Sequence, residues 1–452
     1  MRLFVKVSVA VFIVVVFPAL AWAALPSVIY STIQSSPTSD VPGLVGAKFS
    51  GFDRPFRSMN GQHWIISADT DLATTEDEII ITGQNMLGNV VVREGTQAPW
   101  AATGETIGLI DTRLGINNFG HFVFATNLGG SAPTTSDEQI VSWNGAFNGV
   151  FIEGNSVPSF PGELFGTSID SPSITNDGRV AARAPSTVGS LGSDFDDFLV
   201  FDTGTLAQEG TTIPGPQTIE TWDNFDIDDF YVSANGSHWL AQGDMSGDTN
   251  FDDILAFDNT IVVQESVALS GFGSPVETIV ESIMTPNGDW FARGDNDDQQ
   301  DWIIQNGVLL ATSGSPVPGG LPGELFSDSI YSATFFEMTS NGVGDFVYGG
   351  TTSNADPDFD AVLVLNNTTV LLRQGDPVDV DGNGIFDDNA YLDVFNNDDM
   401  FLSDDGYLYF TADLRDSLGT DIGQAYLRVL IPEPGSLGLL LLAGSLLLRR
   451  RR

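Results

Sequence analysis

The chain contains no cysteine, three histidines, and only 17 lysines and arginines against 60 aspartates and glutamates. Absence of cysteine excludes thiol catalysis and thiolate-held zinc, and suits an exported protein that avoids disulfides. The shortage of positive charge excludes nucleic acid as a partner. A field of that sign repels phosphates over the whole screening length and attracts divalent cations or basic partners instead. There is no nucleophile elbow, phosphate loop or HExxH zinc helix. Paired carboxylates are so common that no pair stands out as the acid and base of a glycosidase, which only their separation in space would identify. What is present is a foldable composition, with 49 glycines and 42% hydrophobic residues. Disordered acidic tails are much poorer in apolar residues. A length of 452 residues admits one large repeat domain or two or three ordinary ones.

Both ends carry export features. Residues 1–23 divide into Arg2 and Lys6, an apolar run over 7–17, and Ala21-Trp22-Ala23 before Ala24. This is the layout of a secretory signal, with cleavage expected after Ala23; the run is short for an uncleaved anchor. At the other end, Pro432-Glu433-Pro434 precedes a stretch over 436–448 of almost only Leu, Gly, Ala and Ser. The chain then stops at Arg449, Arg450, Arg451 and Arg452. Physically this is a short membrane helix halted by a basic clamp, with the arginines left in the cytoplasm and the body outside. The alternative is an ordinary C-terminal anchor. Of the 17 basic residues, six lie before Ala24 or after Leu448, where there is no acid, so 11 remain between them against the same 60 acids.

The order Pro-Glu-Pro, apolar helix and terminal arginines resembles the PEP-CTERM sorting signal. The resemblance covers residues 432–452 and implies recognition and processing by an exosortase. It also implies export to the cell surface or matrix, linked to exopolysaccharide or biofilm, with transient membrane anchoring. It implies nothing about the body.

The body repeats. An Asn- or Asp-rich turn with glycine precedes an apolar strand seven times, with glycines at 61, 120, 178, 236, 288, 342 and 406. Such turns favour glycine at positive φ and lead directly into a strand. A second strand follows each acidic loop (DEIIITG, EQIVSW, DFLVF, DILAF, DWIIQ, DAVLVL and QAYLRV), and a third ends in a small residue (VVVREG, VFIEG, TLAQEG, TIVVQES, VLLATSG, TVLLRQG). The seventh third strand is missing at the C-terminus; 28–32 can supply it from the N-terminus. Fourth strands are expected near 106–110, 278–284 and 391–395. The expected fold over 24–431 is therefore all-β: a seven-bladed β-propeller closed by N-terminal strands that complete the last blade. Two or three β-sandwich domains are the competing arrangement.

Alternating strands bring the first-to-second and third-to-fourth loops to one face. The former are acidic (76–78, 137–138, 194–197, 252–253, 295–298, 358–360), which predicts a negative rim. The latter include Asp379-Val380-Asp381-Gly382-Asn383-Gly384-Ile385-Phe386-Asp387-Asp388. Oxygen ligands at Asp379, Asp381 and Asn383, the Ile385 carbonyl and Asp387 suit calcium, which takes six to eight hard oxygens. The loop resembles those of EF-hand and dockerin modules, except that Ala390 stands where an EF-hand has a bidentate glutamate. His63, His121 and His238 follow the turns; an axial transition-metal site is weighed against strand-face histidines beside Trp64 and Trp239. PGELF occurs at 161–165 and 322–326 and reads as a repeated loop bend. The expected role is non-catalytic binding of polysaccharide or other matrix components, with a secreted polysaccharide hydrolase or lyase as the alternative.

Overall fold

The computed structural model describes residues 25–227, 229–328 and 333–432. Their strands form seven separate sheets, each with four strands in its main order and antiparallel pairing throughout. This is a seven-bladed β-propeller, not a set of sandwiches. Among the described residues there is no α-helix and no helix long and apolar enough to cross a membrane. The expected signal 1–23 lies outside the described residues. So does the expected membrane helix and, apart from Pro432, the sorting motif with Glu433, Pro434 and Arg449 to Arg452.

Blades 1 to 6 run from the axis outward in chain order. Blade 1 has an interrupted inner strand (Phe49–Phe52, then Phe56–Arg57), followed by Trp64–Thr70, Glu78–Gln84 and Leu87–Arg93. The inner strands of blades 2 to 7 are Glu105–Ile116, Asp170–Ile174, Phe230–Val232, Val276–Met284, Phe335–Ser340 and Tyr391–Leu402. The second and third strands are buried on both faces, as at Trp64–Thr70 and Ala361–Leu365. That is why the sequence shows continuous apolar runs there and not strict alternation. Neighbouring blades share one core: Val347 and Leu363 of blade 6 pack with Leu392, Phe410 and Leu427 of blade 7.

Two registers differ from expectation. The expected fourth strands are the inner strands of the following blades. Blade 7 consequently takes three strands from the C-terminal end (Tyr391–Leu402, Tyr407–Arg415, Asp421–Leu430) and one, Ser27–Ser31, from the N-terminus, with Ser27 opposite Arg428 and Ser31 opposite Ala425. In blade 6 the left-handed residue of the turn is Gly344 (φ 100°) and not Gly342.

The reason for the second difference is a turn rule that all seven blades share. A Ser, Thr or Asn opens the turn and glycine at positive φ stands three residues on: Ser58/Gly61, Asn117/Gly120, Thr175/Gly178, Ser233/Gly236, Thr285/Gly288, Asn341/Gly344 and Ser403/Gly406. In six of them the opening side chain accepts a hydrogen bond from the main chain of the next strand, as Ser58 Oγ does from His63 and Asn341 Oδ1 from Asp345.

The turns also touch their neighbours around the axis. The Asn60 amide donates to Asn118 Oδ1 (2.9 Å), the Asn118 amide to Asn176 Oδ1 (3.0 Å), and the Asn176 amide to the Ala234 carbonyl (2.6 Å). Ala234 donates to Pro286 (2.9 Å), Thr285 and Ser340 share a hydroxyl contact (3.4 Å), and Gly342 donates to Asp404 Oδ1 (2.7 Å). Gly61 meets Ser403 so closely that a Cβ there would lie 2.5 Å from the serine Cβ.

Candidate functional site: the loop face and the axial cavity

Antiparallel alternation places the turns on one face of the ring. The second-to-third-strand loops and the connections between blades lie on the other. The 379–388 loop is one of these connections, between Thr369–Arg373 of blade 6 and Tyr391–Leu402 of blade 7. Asp379 is buried, and its two carboxylate oxygens accept from Gly382 (2.9 Å) and Gly384 (3.0 Å). Asp381 accepts from the Asn383 amide (3.0 Å), and Asn383 Oδ1 from Ile385 (2.6 Å). One oxygen each of Asp379, Asp381 and Asp388 lie within 4.8 Å of one another. Of the five residues expected as ligands, Asp379 and Asp381 are therefore brought together, while Asp388 joins them in place of Asp387. Asp388 is drawn in because it accepts the amides of Val380 (2.7 Å) and Asp381 (3.2 Å). Ile385 and Asp387 are exposed.

The acidic rim contains a pairing that the sequence did not announce. The third-strand motif ends in glutamate in four blades, and each glutamate main chain docks on the acidic loop of its own blade. Glu94 bonds to Glu78, Glu153 to Glu138, Glu209 to Asp197 and Glu265 to Asp253, at 2.9 to 3.0 Å. Their carboxyls all sit above the usual range, first because they are buried and then because like charges face them. Burial pushes Glu209 up to about 7, and Asp253 likewise. The two PGELF glutamates are anchors for inter-blade connections. Glu163 accepts from the Ser190 amide (2.6 Å), and Glu324 takes a bidentate contact from Arg373 (2.8 and 2.7 Å).

The histidines do not converge. His238 bonds to Asp258 (2.5 Å) and stacks on Phe257, His63 contacts Gln84, and His121 lies against Trp143. The Asp379 group is the one cluster of three metal-capable side chains among the described residues.

The axis holds a second arrangement. Four residues before the one that opens each turn stand Arg54, Arg113, Ser171, Asp229, Glu281 and Glu337 in blades 1 to 6. At this level the inner strands are irregular. Register shifts fall at Ile110/Leu114, Asp170/Ser173, Ile279/Glu281, Phe336/Met338 and Phe395/Met400. Blade 1 breaks its strand here, and that of blade 4 begins only at Phe230. Ser171 and Glu337, both fully buried, have φ of 52° and 47°. Bulges re-aim side chains and concentrate near functional sites, as do non-glycine residues at positive φ.

On the turn side of this level, residues from all seven blades enclose a cavity of about 90 Å³. Its wall includes Arg54, Arg57 and Arg113 with Phe56, Tyr231 and Phe401. The Arg113 guanidinium lies 3.9 Å from the Tyr231 ring centroid and donates to the Phe230 carbonyl (3.2 Å). Arg54 lies 5.3 Å from Phe56. Arg57 donates to the carbonyls of Ser58 (3.0 Å), Met59 (2.6 Å) and, across blade 7, Ser340 (2.6 Å). Burial pulls it down to about 10, against the pull of Asp404 and Asp289. Nearby, burial raises Asp229 to about 7 despite the opposing charge of Arg113. Glu281 is ion-paired with Arg293 at 2.7 Å.

A family model described as a family of unknown function (DUF7453) matches residues 23–237. No curated protein matches. Among solved structures, a neuraminidase-like protein of subtype N11 (flat-faced bat) is similar at 9% identity and a TM-score of 0.30, over 85% of this chain and 99% of that one. A protein of unknown function from Dyadobacter fermentans gives 10% identity and a TM-score of 0.29, over 86% and 100%. The GH93 alpha-L-arabinofuranosidase of Fusarium graminearum gives 8% and 0.28, over 90% and 98%. At these values the similarities carry no functional argument.

Proposed function

We propose that the chain is an exported surface or extracellular-matrix protein, sorted by an exosortase-type system and serving a non-catalytic binding or structural role linked to exopolysaccharide or biofilm. The observation that carries this reading is the order of parts at the C-terminus: Pro432-Glu433-Pro434, an apolar stretch, then Arg449 to Arg452. In this reading residues 1–23 are removed on export, and the tail holds the body at the membrane until it is processed. Mass spectrometry of mature protein from the native host tests it. Loss of both end peptides is expected; an intact C-terminal peptide overturns the processing step.

Two finer readings belong with it. The pairing of Ser27–Ser31 with Asp421–Leu430 acts as the latch that closes the ring. Calcium is held by the 379–388 loop through Asp379, Asp381 and Asp388, with the Asn383 side chain and the Ile385 carbonyl as further oxygen donors; the nearness of three carboxylates supports this. Calorimetric titration with calcium on the order of millimolar should give heat and a raised thermal midpoint. Neither response would remove the metal.

The alternative is a secreted polysaccharide hydrolase or lyase. It needs an acid and a base facing the substrate. The wall of the axial cavity carries arginines and aromatics and, among the described residues, no carboxylate, which supports binding over turnover. Product release from native exopolysaccharide would reverse that preference.

A further inference from the structure

We infer that the axial cavity is an anion site that takes the carboxylate of an acidic sugar. Charge distribution is the first ground. Between Ala24 and Leu448 there are 11 basic residues against 60 acids, yet three of the 11 line this one cavity and, among the described residues, no acid does. In such a chain a chance wall would be acidic.

Arg57 is the second ground. It is 3% exposed and, among the described residues, has no ion pair and no hydrogen-bond partner for its buried Nε. Its three recorded hydrogen bonds go to neutral carbonyls, so among the described residues the enclosed charge lacks a contacting anion. Burying a guanidinium in this state costs free energy that an oxyanion in the cavity would recover. The third ground is the wall itself. Phe56, Tyr231 and Phe401 offer aromatic surface beside the guanidinium groups of Arg54 and Arg113, which suits a carboxylate attached to a sugar ring. The space of about 90 Å³ is of a size for the carboxylate end of such a ligand.

The choice of a sugar as carrier rests on the matrix-binding reading above; the anion does not. The full-length chain is titrated with glucuronate, glucose and sodium sulfate at constant ionic strength. Calorimetry and the thermal midpoint are read for wild type, Arg54→Gln and Arg113→Gln. Arg54 is only part-buried, so its variant keeps the test open if Arg113→Gln fails to fold. Glucuronate is expected to bind, sulfate more weakly and glucose not at all, with each substitution weakening glucuronate by about tenfold or more.

Absence of glucuronate binding by wild type, equal binding of glucose, or unchanged affinity in the folded variants overturns the site. Sulfate binding as tightly as glucuronate overturns the sugar carboxylate in favour of a free oxyanion. A parallel assay measures retention of native exopolysaccharide. Retention equal in wild type and folded variants sinks the axial inference and leaves the matrix reading. Glucuronate binding that depends on the arginines, without polymer retention, does the reverse.

Discussion

The main-chain N–H of Val28 donates to the carbonyl of Asp379 at 3.2 Å, and the Asp379 N–H returns a bond to Pro26 at 3.3 Å. The first strand of the body is thus stitched to the first residue of the acidic loop. A ligand that orders the loop would also order the strand. If calcium binds there, hydrogen exchange over 27–31 should slow when the ion is added, and Asp379→Ala should abolish the slowing. The substitution also removes two acceptors and should cost about 1 to 3 kcal/mol without metal, read by urea unfolding. Slowing of 27–31 that persists in Asp379→Ala would show that the ion acts elsewhere.

Stability should rise, not fall, as pH drops from 8 to about 5.5. Glu209, Asp229 and Asp253 have folded values near 7, above the carboxylate range near 4 of the unfolded chain. A raised carboxyl contributes its stability in full below the unfolded value and loses it as pH climbs through the folded one. Below about pH 4 the trend should reverse. There Glu324 loses its ionised state, which burial alone would raise but the Arg373 contact holds down. Urea midpoints at pH 8, 5.5 and 3.5 check both limbs; a monotonic fall from pH 8 would refute the first.

Glu324→Gln should destabilise the fold by about 3 kcal/mol, because it leaves Arg373 enclosed without its counter-ion. Glu163 occupies the same motif but bonds to the Ser190 and Leu191 amides, with no arginine in contact among the described residues. Glu163→Gln should therefore cost distinctly less. Chemical denaturation of the two variants side by side gives the comparison.

Gly61→Ala and Gly342→Ala should differ sharply. Gly61 has φ of 68° and its added methyl would strike Ser403 Cα at 2.6 Å, so a loss of about 2 kcal/mol or more is expected. Gly342 has no positive φ, and its methyl would meet only the Asp404 carboxylate at 3.2 Å, a side chain able to move. Thermal unfolding of both variants decides whether the turn ring bears on stability as described.

These glycines also show how far the sequence could be read. The repeat was legible because every turn imposes the same local chemistry, a polar opener and a left-handed glycine. Blade 6 misled because Gly342 sits beside Asn341, whereas the conformational demand falls on Gly344. The inner strands were harder. Those of blades 2, 5 and 7 are nine to twelve residues long and left a trace, but Phe230–Val232 has three residues and no periodicity to detect. The axial residues carry no local motif at all. Arg54, Arg113 and Asp229 become equivalent only on counting back four places from Ser58, Asn117 and Ser233, and that count needs the turn rule first. In the 379–388 loop the spacing identified Asp379 and Asp381. Asp388 replaced Asp387 because two main-chain amides fix its carboxylate, and ligand spacing alone does not encode that preference.

Placing Ser27 beside Arg428 has a further consequence for how the molecule comes into being. The earliest strand to emerge from the ribosome waits for the last before its hydrogen bonds can be made. A pairing so distant in sequence is expected to form late and to slow the completion of folding. Both ends of the finished disc leave from neighbouring strands of one sheet, so a tether at the C-terminal end would load that seam first.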